Sequence, residues 1–344
     1  MSVSVRAFTS RFSLFVTSGP PLVLGWGSGV HYSGTLGLFL CVPYCWAWCE
    51  RQIMHSCKAR YLVFFQYYGT KYSGVMETPV TQSVLGVQNY LEMAAQKLRP
   101  VGTVKFFISS RTDSGVHAIC NSAHVDIQRA NGKPPFTEDI LVQALNHHLQ
   151  PEPIRLLKAV RVCDNFHARH KALSRTYVYR VAAGCSHSEL PVFEENLCWA
   201  VPGSLNVAAI HEASEMLLGT HNFSAFRSAN SENVFKSPIK TLQQADITPS
   251  SGILTHHWQY RNLQFWDFTF RARSFLYKQV RRMTGALVAV GQGRLTPLQI
   301  KEFLENQDPN CTLGNFVAPP HGLFLNNVEY DETELNNFSA EETQ

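Results

Sequence analysis

Residues 109–118 read SSRTDSGVHA and place a guanidinium, a hydroxyl and a carboxylate in consecutive positions, those of Arg111, Thr112 and Asp113. The largely apolar run before them, Val104 to Ile108, is typical of a buried strand. The segment makes a good turn, because Asp and Ser bond their own backbone and Gly supplies a positive φ. It also has the composition of a site, since a carboxylate beside a cation is a candidate nucleophile or base. The local pattern leaves both interpretations open.

Other chemistries compete poorly with a catalytic Asp113. Serines and a histidine surround it, but no G-x-S-x-G elbow frames a serine. No P-loop or dinucleotide-binding glycine pattern occurs. The nine cysteines lack the paired spacings of a zinc site or a disulfide framework. We therefore expect no cofactor, no metal and a reducing, intracellular setting.

The charge distribution is uneven although the net charge is only +4. Seven Lys/Arg and one acid lie between Arg155 and Arg180, and six Lys/Arg and no acid lie between Arg271 and Arg294. Six acids and no base follow from Glu329 to the C-terminus. Basic stretches interleaved with Tyr and Phe suit a phosphate backbone. On charge alone, a pair of solvated faces is an equally good interpretation.

Hydrophobic periodicity divides residues 60–330 into two stretches with the same order of elements. The first stretch, 60–170, reads β-α-β-β-α-β, and the second, 171–330, repeats that order. We predict an α+β fold in which two halves share one mainly antiparallel sheet. The loop at Asp113 joins the two middle strands of the first half, so a cleft between the halves would include it. The predicted strands are 61–65, 103–109, 123–127, 154–162, 175–181, 239–247, 262–271 and 323–330, and helices are predicted within 84–98, 137–149, 205–217 and 276–290 and after a capping box at 296–299.

Residues 1–59 differ from the rest of the chain. No acid precedes Glu50, and Arg6 and Arg11 lie among Ser, Thr and Phe, as in a mitochondrial presequence. The most apolar part, 36–49, is shorter than the ~20 residues that a membrane span needs. A targeting leader, a nonfunctional extension and a membrane anchor are the three alternatives. We predict a mitochondrial location, with a cytoplasmic or nuclear one as the alternative, and expect no membrane association.

The segment from Arg111 to Ala118 resembles the signature of the tRNA pseudouridine synthases of the TruA type. The resemblance covers about residues 60–330, and the string R-T-D-x-G-V-H-A within it is highly specific. Further segments resemble the family in the same order, namely 67–74, 164–169, 174–179, 218–227, 275–291 and 321–323.

The resemblance implies two ferredoxin-like halves that share one sheet, with a basic RNA cleft between them. It implies a reaction that breaks the N1–C1′ bond of a uridine, rotates the base and rejoins it through C5, without a cofactor. Asp113 would be the catalytic carboxylate, either as a nucleophile at C1′ or as a base that abstracts a ribose proton. The expected substrate is RNA, most of all tRNA, with mRNA as a further possibility. A homodimer is also suggested by the family.

The resemblance also assigns four substrate-binding residues. A uridine must leave its stack to react, and Arg111 resembles the residue that enters the vacated space. Tyr177 resembles the tyrosine that packs against the uracil, and Arg281 an arginine that pairs with the catalytic carboxylate. Leu323 would cover the other face of the base. From the residues alone, Tyr177 and Leu323 are equally interpreted as core positions of strands.

Two departures from the family pattern concern substrate choice. Tyr68 replaces the usual acid of a Y-D-G segment, and Val75-Met76 replaces Trp-Gln.

The predicted domains are an extension at 1–59, halves at 60–170 and 171–330, and an acidic tail at 331–344. The alternative functions are a noncatalytic RNA-binding protein with the same fold and a metabolic enzyme that acts on a small substrate.

Overall fold

The computed structural model of the chain describes residues 58–228, 237–252, 257–258, 260–306 and 316–336. The predictions for the extension up to residue 57 and for residues 337–344 of the tail lie outside the described residues. The strands are β1 Lys58–Tyr67, β2 Phe106–Ile108, β3 His117–Gln128, β4 Ile154–Val162, β5 Ser174–Ala183, β6 Trp199–Val201, β7 Gly219–Asn222, β8 Ile239–Ser250, β9 Gln264–Ala272 and β10 Leu323–Glu329. The α-helices are α1 Val87–Gln96, α2 Glu138–Leu149, α3 Val207–Met216, α4 Gln279–Gly291, α5 Pro297–Glu305 and α6 Glu332–Asn336.

These strands form one ten-stranded sheet in the order β4-β1-β3-β10-β5-β9-β8-β7, with β2 added to β3 and β6 added to β5. The pairs β3–β10 and β5–β6 are parallel, and the other pairs are antiparallel. Strand β3 changes partner along its length. Residues 123–125 pair with β2, whereas His117 and Ala118 pair with β10. The predicted α+β class with a mainly antiparallel sheet is therefore confirmed.

The element predictions match some boundaries and miss others, and the strand predicted at 103–109 spans only Phe106–Ile108. The strand at 154–162 has the predicted bounds, and Thr296 and Gln299 form the predicted capping box. The strand predicted at 123–127 extends back to His117 in the structure. The prediction missed this part because two buried polar residues, Asn121 and Ser122, interrupt the apolar pattern. The Asn121 side chain donates to the Ser110 carbonyl at 3.0 Å, which makes its burial tolerable. Strand β1 begins at Lys58, two residues before the predicted boundary of the extension.

Helices α1 to α5 contribute to the core on the face of the sheet that carries its large aromatic side chains, whereas Leu335 of α6 packs on the opposite face. Tyr61, Phe65, Tyr179 and Phe268 are fully buried in this core. A smaller apolar cluster on the opposite face contains Leu62, Val162, Phe166 and Ala168. The two clusters use alternate residues of β1, as the two-residue period of a strand requires.

Helix α4 lies deepest in the core. All of its residues are buried except Arg281, in its first turn. A Cβ at Gly285 would lie 2.5 Å from the Phe316 carbonyl oxygen, so the close approach of this helix to residues 316–318 requires glycine. The helix therefore holds Arg281 in a fixed place.

No α-helix within the described ranges has the length and hydrophobicity to cross a membrane.

We expect the free energy of unfolding to decrease at acidic pH because of His124. Burial, with His167 and Arg60 nearby, lowers the pKa of His124 to about 4. The unfolded chain binds this proton at higher pH, so the contribution is present above about pH 6.5 and is lost as the pH falls toward about 4. His124→Asn keeps an acceptor for the Ala168 N–H but does not titrate. It should reduce the decrease in unfolding free energy between pH 7 and 5 by about 2 kcal/mol.

Urea denaturation across this pH range measures the effect. His211→Asn, at an exposed helical position, is the matched control and should leave the slope of the wild-type profile unchanged. Parallel profiles for His124→Asn and the wild type would contradict the assignment.

Candidate active site

The loop that carries Asp113 is both a turn and part of a cavity. The Val116 N–H donates to the Asp113 carbonyl at 3.2 Å, and Gly115 has a φ of +77°. A second segment fixes the loop from outside, because the Val75 N–H donates to the Thr112 carbonyl at 3.2 Å. Gly74 lies against this carbonyl, and a Cβ there would approach its oxygen to 2.8 Å. The turn is therefore held rigidly, with the Asp113 side chain partly exposed.

A buried hydrogen-bond network supports the loop from below. The Thr112 hydroxyl lies 2.7 Å from the Tyr67 hydroxyl, and the Asn121 side chain donates to Tyr67 and to the Ser110 carbonyl. Burial raises the pKa of Tyr67 to about 12, so this hydroxyl stays protonated. The network ties the loop to β1 and β3 at once.

Arg281 faces Asp113 across the cavity. Its Nη1 lies 3.3 Å from Asp113 Oδ2, and its Nε donates to the Ala318 carbonyl at 2.8 Å. The Arg281 side chain is only 12% exposed and that of Asp113 27%, so solvent screens this pair less than a surface ion pair. The predicted pairing of these two residues is thus present in the structure.

All five predicted site residues line one cavity of about 830 Å³. Tyr177 and Leu323 are 8% and 6% exposed, and both therefore belong to the core as well as to the cavity wall. The ring of Tyr177 meets that of Phe275 edge to face at 5.2 Å. Burial raises the pKa of Tyr177, so its hydroxyl is neutral. Arg111 is exposed and lines the cavity.

The cavity lining is strongly cationic. Among the described residues that line it, Asp113 is the sole carboxylate and six are Lys or Arg. No three His, Cys, Asp or Glu side chains within the described ranges are arranged to hold a metal ion. The basic lining residues are Arg111, Arg169, Arg175, Arg273, Lys278 and Arg281.

Only part of each basic stretch reaches this cavity. Lys171 pairs with Glu334 of helix α6, and Arg180 pairs with the buried Glu194. Within 166–169, Phe166 and Ala168 are buried and serve the fold, whereas Arg169 is exposed at the cavity. Charge counting along the chain therefore overestimated the cations that face the cavity.

Arg175 is a site residue that the sequence reasoning missed. Its guanidinium is buried and donates to the Arg273 carbonyl at 2.7 Å, the Arg169 carbonyl at 2.9 Å and the Ser110 hydroxyl at 3.2 Å. Burial lowers the pKa of this guanidinium. One side chain thus joins three separate segments of the cavity wall. The signal available in the sequence was an Arg two residues before Tyr177, on the same face of the strand.

His117 joins three further segments behind the loop. Its Nδ1 accepts from the Gly69 N–H at 3.0 Å, so Nε2 carries the proton and donates to the carbonyls of Asn196 and His321. Burial lowers the pKa of His117, which favours this neutral form. His321 lies two residues before Leu323. The same imidazole therefore helps to position both the Asp113 loop and the cavity wall that carries Leu323.

The two departures from the family pattern lie close to these elements. The ring of Tyr68 packs against that of His117 at 4.7 Å, and its hydroxyl donates to the Glu195 carbonyl. Val75 is fully buried, whereas Met76 is exposed and lines the cavity. Met76 is therefore the departure that a substrate can meet.

Comparison with known proteins identifies the class of enzyme to which this site belongs. Residues 63–171 and 213–331 match the family described as tRNA pseudouridine synthase. The chain belongs to this family, whose members are isomerases that convert uridine to pseudouridine in tRNA.

Individual relatives agree with the family match. The chain is 89% identical over 291 residues to tRNA pseudouridine synthase-like 1 of Xenopus laevis, covering 85% of this chain and 98% of the relative. It is 53% identical over 279 residues to tRNA pseudouridine synthase-like 1 of Homo sapiens, with 80% and 91% covered. It is also 38% identical over 271 residues to tRNA pseudouridine synthase A of Hyphomonas neptunium, covering 79% of this chain and 98% of the relative.

Replacement of Arg175 is expected to destabilise the protein. Arg175→Met leaves several buried oxygens without a donor, which should lower the unfolding free energy by about 2 kcal/mol or more. Arg175→Lys retains the charge but not the forked geometry and should lose part of this amount. Urea denaturation measures both variants against Lys158→Met, at an exposed position of β4. Equal unfolding free energies for Arg175→Met and the control would contradict the bridging role.

Proposed function

We propose that this protein isomerises uridine to pseudouridine in tRNA with Asp113 as its catalytic carboxylate. The observation that carries the proposal is the pairing of Asp113 with Arg281 at 3.3 Å in a cavity whose other charged lining residues are basic. Family membership supplies the reaction, and this geometry supplies the residues.

The chemistry needs an ionised carboxylate beside the ribose. The N1–C1′ bond breaks, a C5–C1′ bond forms, the C5 proton leaves and N1 gains a proton, so there is no net oxidation and no cofactor is required. Asp113 can attack C1′ or remove a ribose proton, and both routes use its anionic form. Arg281 provides a cation that faces this carboxylate at 3.3 Å.

The other lining residues receive roles that follow from their positions. Tyr177 and Leu323 are nearly buried on the cavity wall, where flat apolar surface can hold an extruded uracil. Arg111 is exposed at the rim, where it can fill the space that the uridine leaves. The basic lining residues outside the bonded pairs described above, Arg169, Arg273 and Lys278, would contact the phosphates on either side of the target.

The proposed architecture is a pair of ferredoxin-like halves, 60–170 and 171–330, with an RNA cleft between them. The strand order supports it. In the first half the sheet reads β4-β1-β3-β2, and in the second it reads β10-β5-β9-β8. Each set places its fourth, first, third and second strands side by side, which is the order of a β-α-β-β-α-β unit.

Location and assembly are further proposals. The presequence-like composition of residues 1–59 supports a mitochondrial location. Fusion of these residues to a fluorescent protein tests it, since a diffuse cytosolic signal would exclude an import function. A homodimer is tested by light scattering of the full chain. Release of tritium from mRNA as well as tRNA would extend the substrate range.

Asp113→Asn is expected to abolish isomerisation while leaving RNA binding intact. Tritium release from tRNA labelled at uracil C5 should fall at least about 100-fold, because the amide can neither attack C1′ nor accept a proton. Asp139→Asn, at an exposed position of helix α2, is the matched control and should retain wild-type release. Full release by Asp113→Asn would mean that Asp113 is only a turn residue.

The same assay separates the alternative functions. Binding without release by the wild-type protein, across cytosolic and mitochondrial tRNA pools, would favour a noncatalytic RNA-binding protein. RNA affinity that does not decrease with added salt would point instead to a small substrate, since phosphate contacts release counterions on binding.

A further inference from the structure

Four rings form a continuous cluster beside the catalytic cavity, and the proposed mechanism uses none of them. Phe107 of β2 and His124 of β3 are direct cross-strand partners, and their rings stack at 4.7 Å with an interplanar angle of 9°. His167 meets His124 at 4.6 Å, and His170 meets His167 at 4.3 Å. These four residues are called the ring cluster below.

Backbone donors hold the imidazoles in place before any ligand arrives. The Ala168 N–H donates to His124 Nδ1 at 3.1 Å, and the Arg169 N–H donates to His167 Nδ1 at 3.2 Å. Burial lowers the pKa of both imidazoles, so each is neutral and carries its proton on Nε2. The rings of His124 and His167 are therefore uncharged and oriented, and little conformational entropy of these two rings remains to be lost when a ligand stacks on the cluster.

The outer side of the ring cluster is open to solvent. Phe107 is 49% exposed and His170 is also exposed, whereas His124 is buried beneath them. The neighbours of Phe107 on its strand, Phe106 and Ile108, point into the core instead. Half of a large apolar ring thus remains in water, at a cost that core packing does not explain.

The ring cluster is continuous with the catalytic cavity and with its cations. His170 and Arg169 line that cavity, and Arg169 is exposed there. The Arg169 carbonyl is held by the buried Arg175, so its backbone is fixed relative to the wall that carries Tyr177. A chain that leaves the cavity on this side would therefore pass a cation and then a row of rings.

We propose that the ring cluster is a stacking surface for an unpaired nucleotide of the substrate RNA, next to the target uridine. The inference rests on the proposed function. Proteins recognise splayed bases in RNA by stacking them on aromatic and imidazole rings. The position between a cationic cavity and solvent fits a base whose phosphate contacts Arg169, better than it fits a protein segment, which would not need the cations.

Stacking on the ring cluster should contribute affinity but not salt dependence. The probes are a fluorescently labelled single-stranded oligouridylate and unfractionated tRNA, with affinity measured by fluorescence anisotropy at several salt concentrations. Phe107→Ala should raise the Kd for both probes about 10-fold, the effect of one lost base stack. The slope of log Kd against log salt should not change. Arg169→Gln should instead reduce that slope by about one.

Matched variants separate stacking from disturbance of the fold. Phe107→Tyr keeps the ring and should bind within about twofold of the wild type, and His170→Ala should weaken binding like Phe107→Ala. Ile140→Ala removes an equally exposed apolar side chain from helix α2 and should leave the Kd unchanged. Wild-type affinity in both Phe107→Ala and His170→Ala would overturn the proposal, as would equal weakening by Phe107→Tyr and Phe107→Ala.

The outcomes distinguish this inference from the proposed function. Weaker RNA binding by Phe107→Ala, in a protein that releases no tritium, would leave the stacking surface standing and overturn catalysis. Normal RNA binding by both Phe107→Ala and His170→Ala, in a protein whose release depends on Asp113, would overturn the stacking surface alone. Failure of the wild type to bind either RNA probe would overturn both.

Discussion

The pairing of Asp113 with Arg281 is the constraint on which the rest of the site depends. A carboxylate in a partly dry cavity is stable as an anion only if a cation faces it. That cation must stay in place when the cavity is empty, and two features of helix α4 and its surroundings hold it there. Every other residue of α4 is buried, and the Arg281 guanidinium is bonded to the Ala318 carbonyl as well. The pair therefore links the loop before β3 to helix α4, which is distant in sequence.

Part of the candidate site stands out in the sequence because Arg111 and Asp113 lie two positions apart in one short segment. The string R-T-D-S-G-V-H-A carries both Arg111 and Asp113, and the strand with Tyr177 shows plain alternation. Arg281 and Leu323 lie far away in sequence, and only the resemblance to a family assigned them to the same place. The structure then placed all five residues on one cavity.

What escaped prediction depends on contacts between segments that are distant in sequence. Strand β3 was predicted too short because Asn121 and Ser122 are buried polar residues, and nothing local shows that their hydrogen bonds are satisfied. Arg175 appeared to be one more cation of a basic stretch, although its partners are the carbonyls and hydroxyls of three other segments. The ring cluster likewise joins residues of β2, β3 and a loop, and no single stretch of the sequence displays it.

The position of β10 has a consequence for synthesis of the chain. This strand pairs with both β3 and β5 at the centre of the sheet, and it also carries Leu323. Among the described strands, β10 is the last to be synthesised, and the edges of β3 and β5 that it joins stay unpaired until it emerges. The wall of the cavity that carries Leu323 can therefore form only after residues 323–329 have left the ribosome.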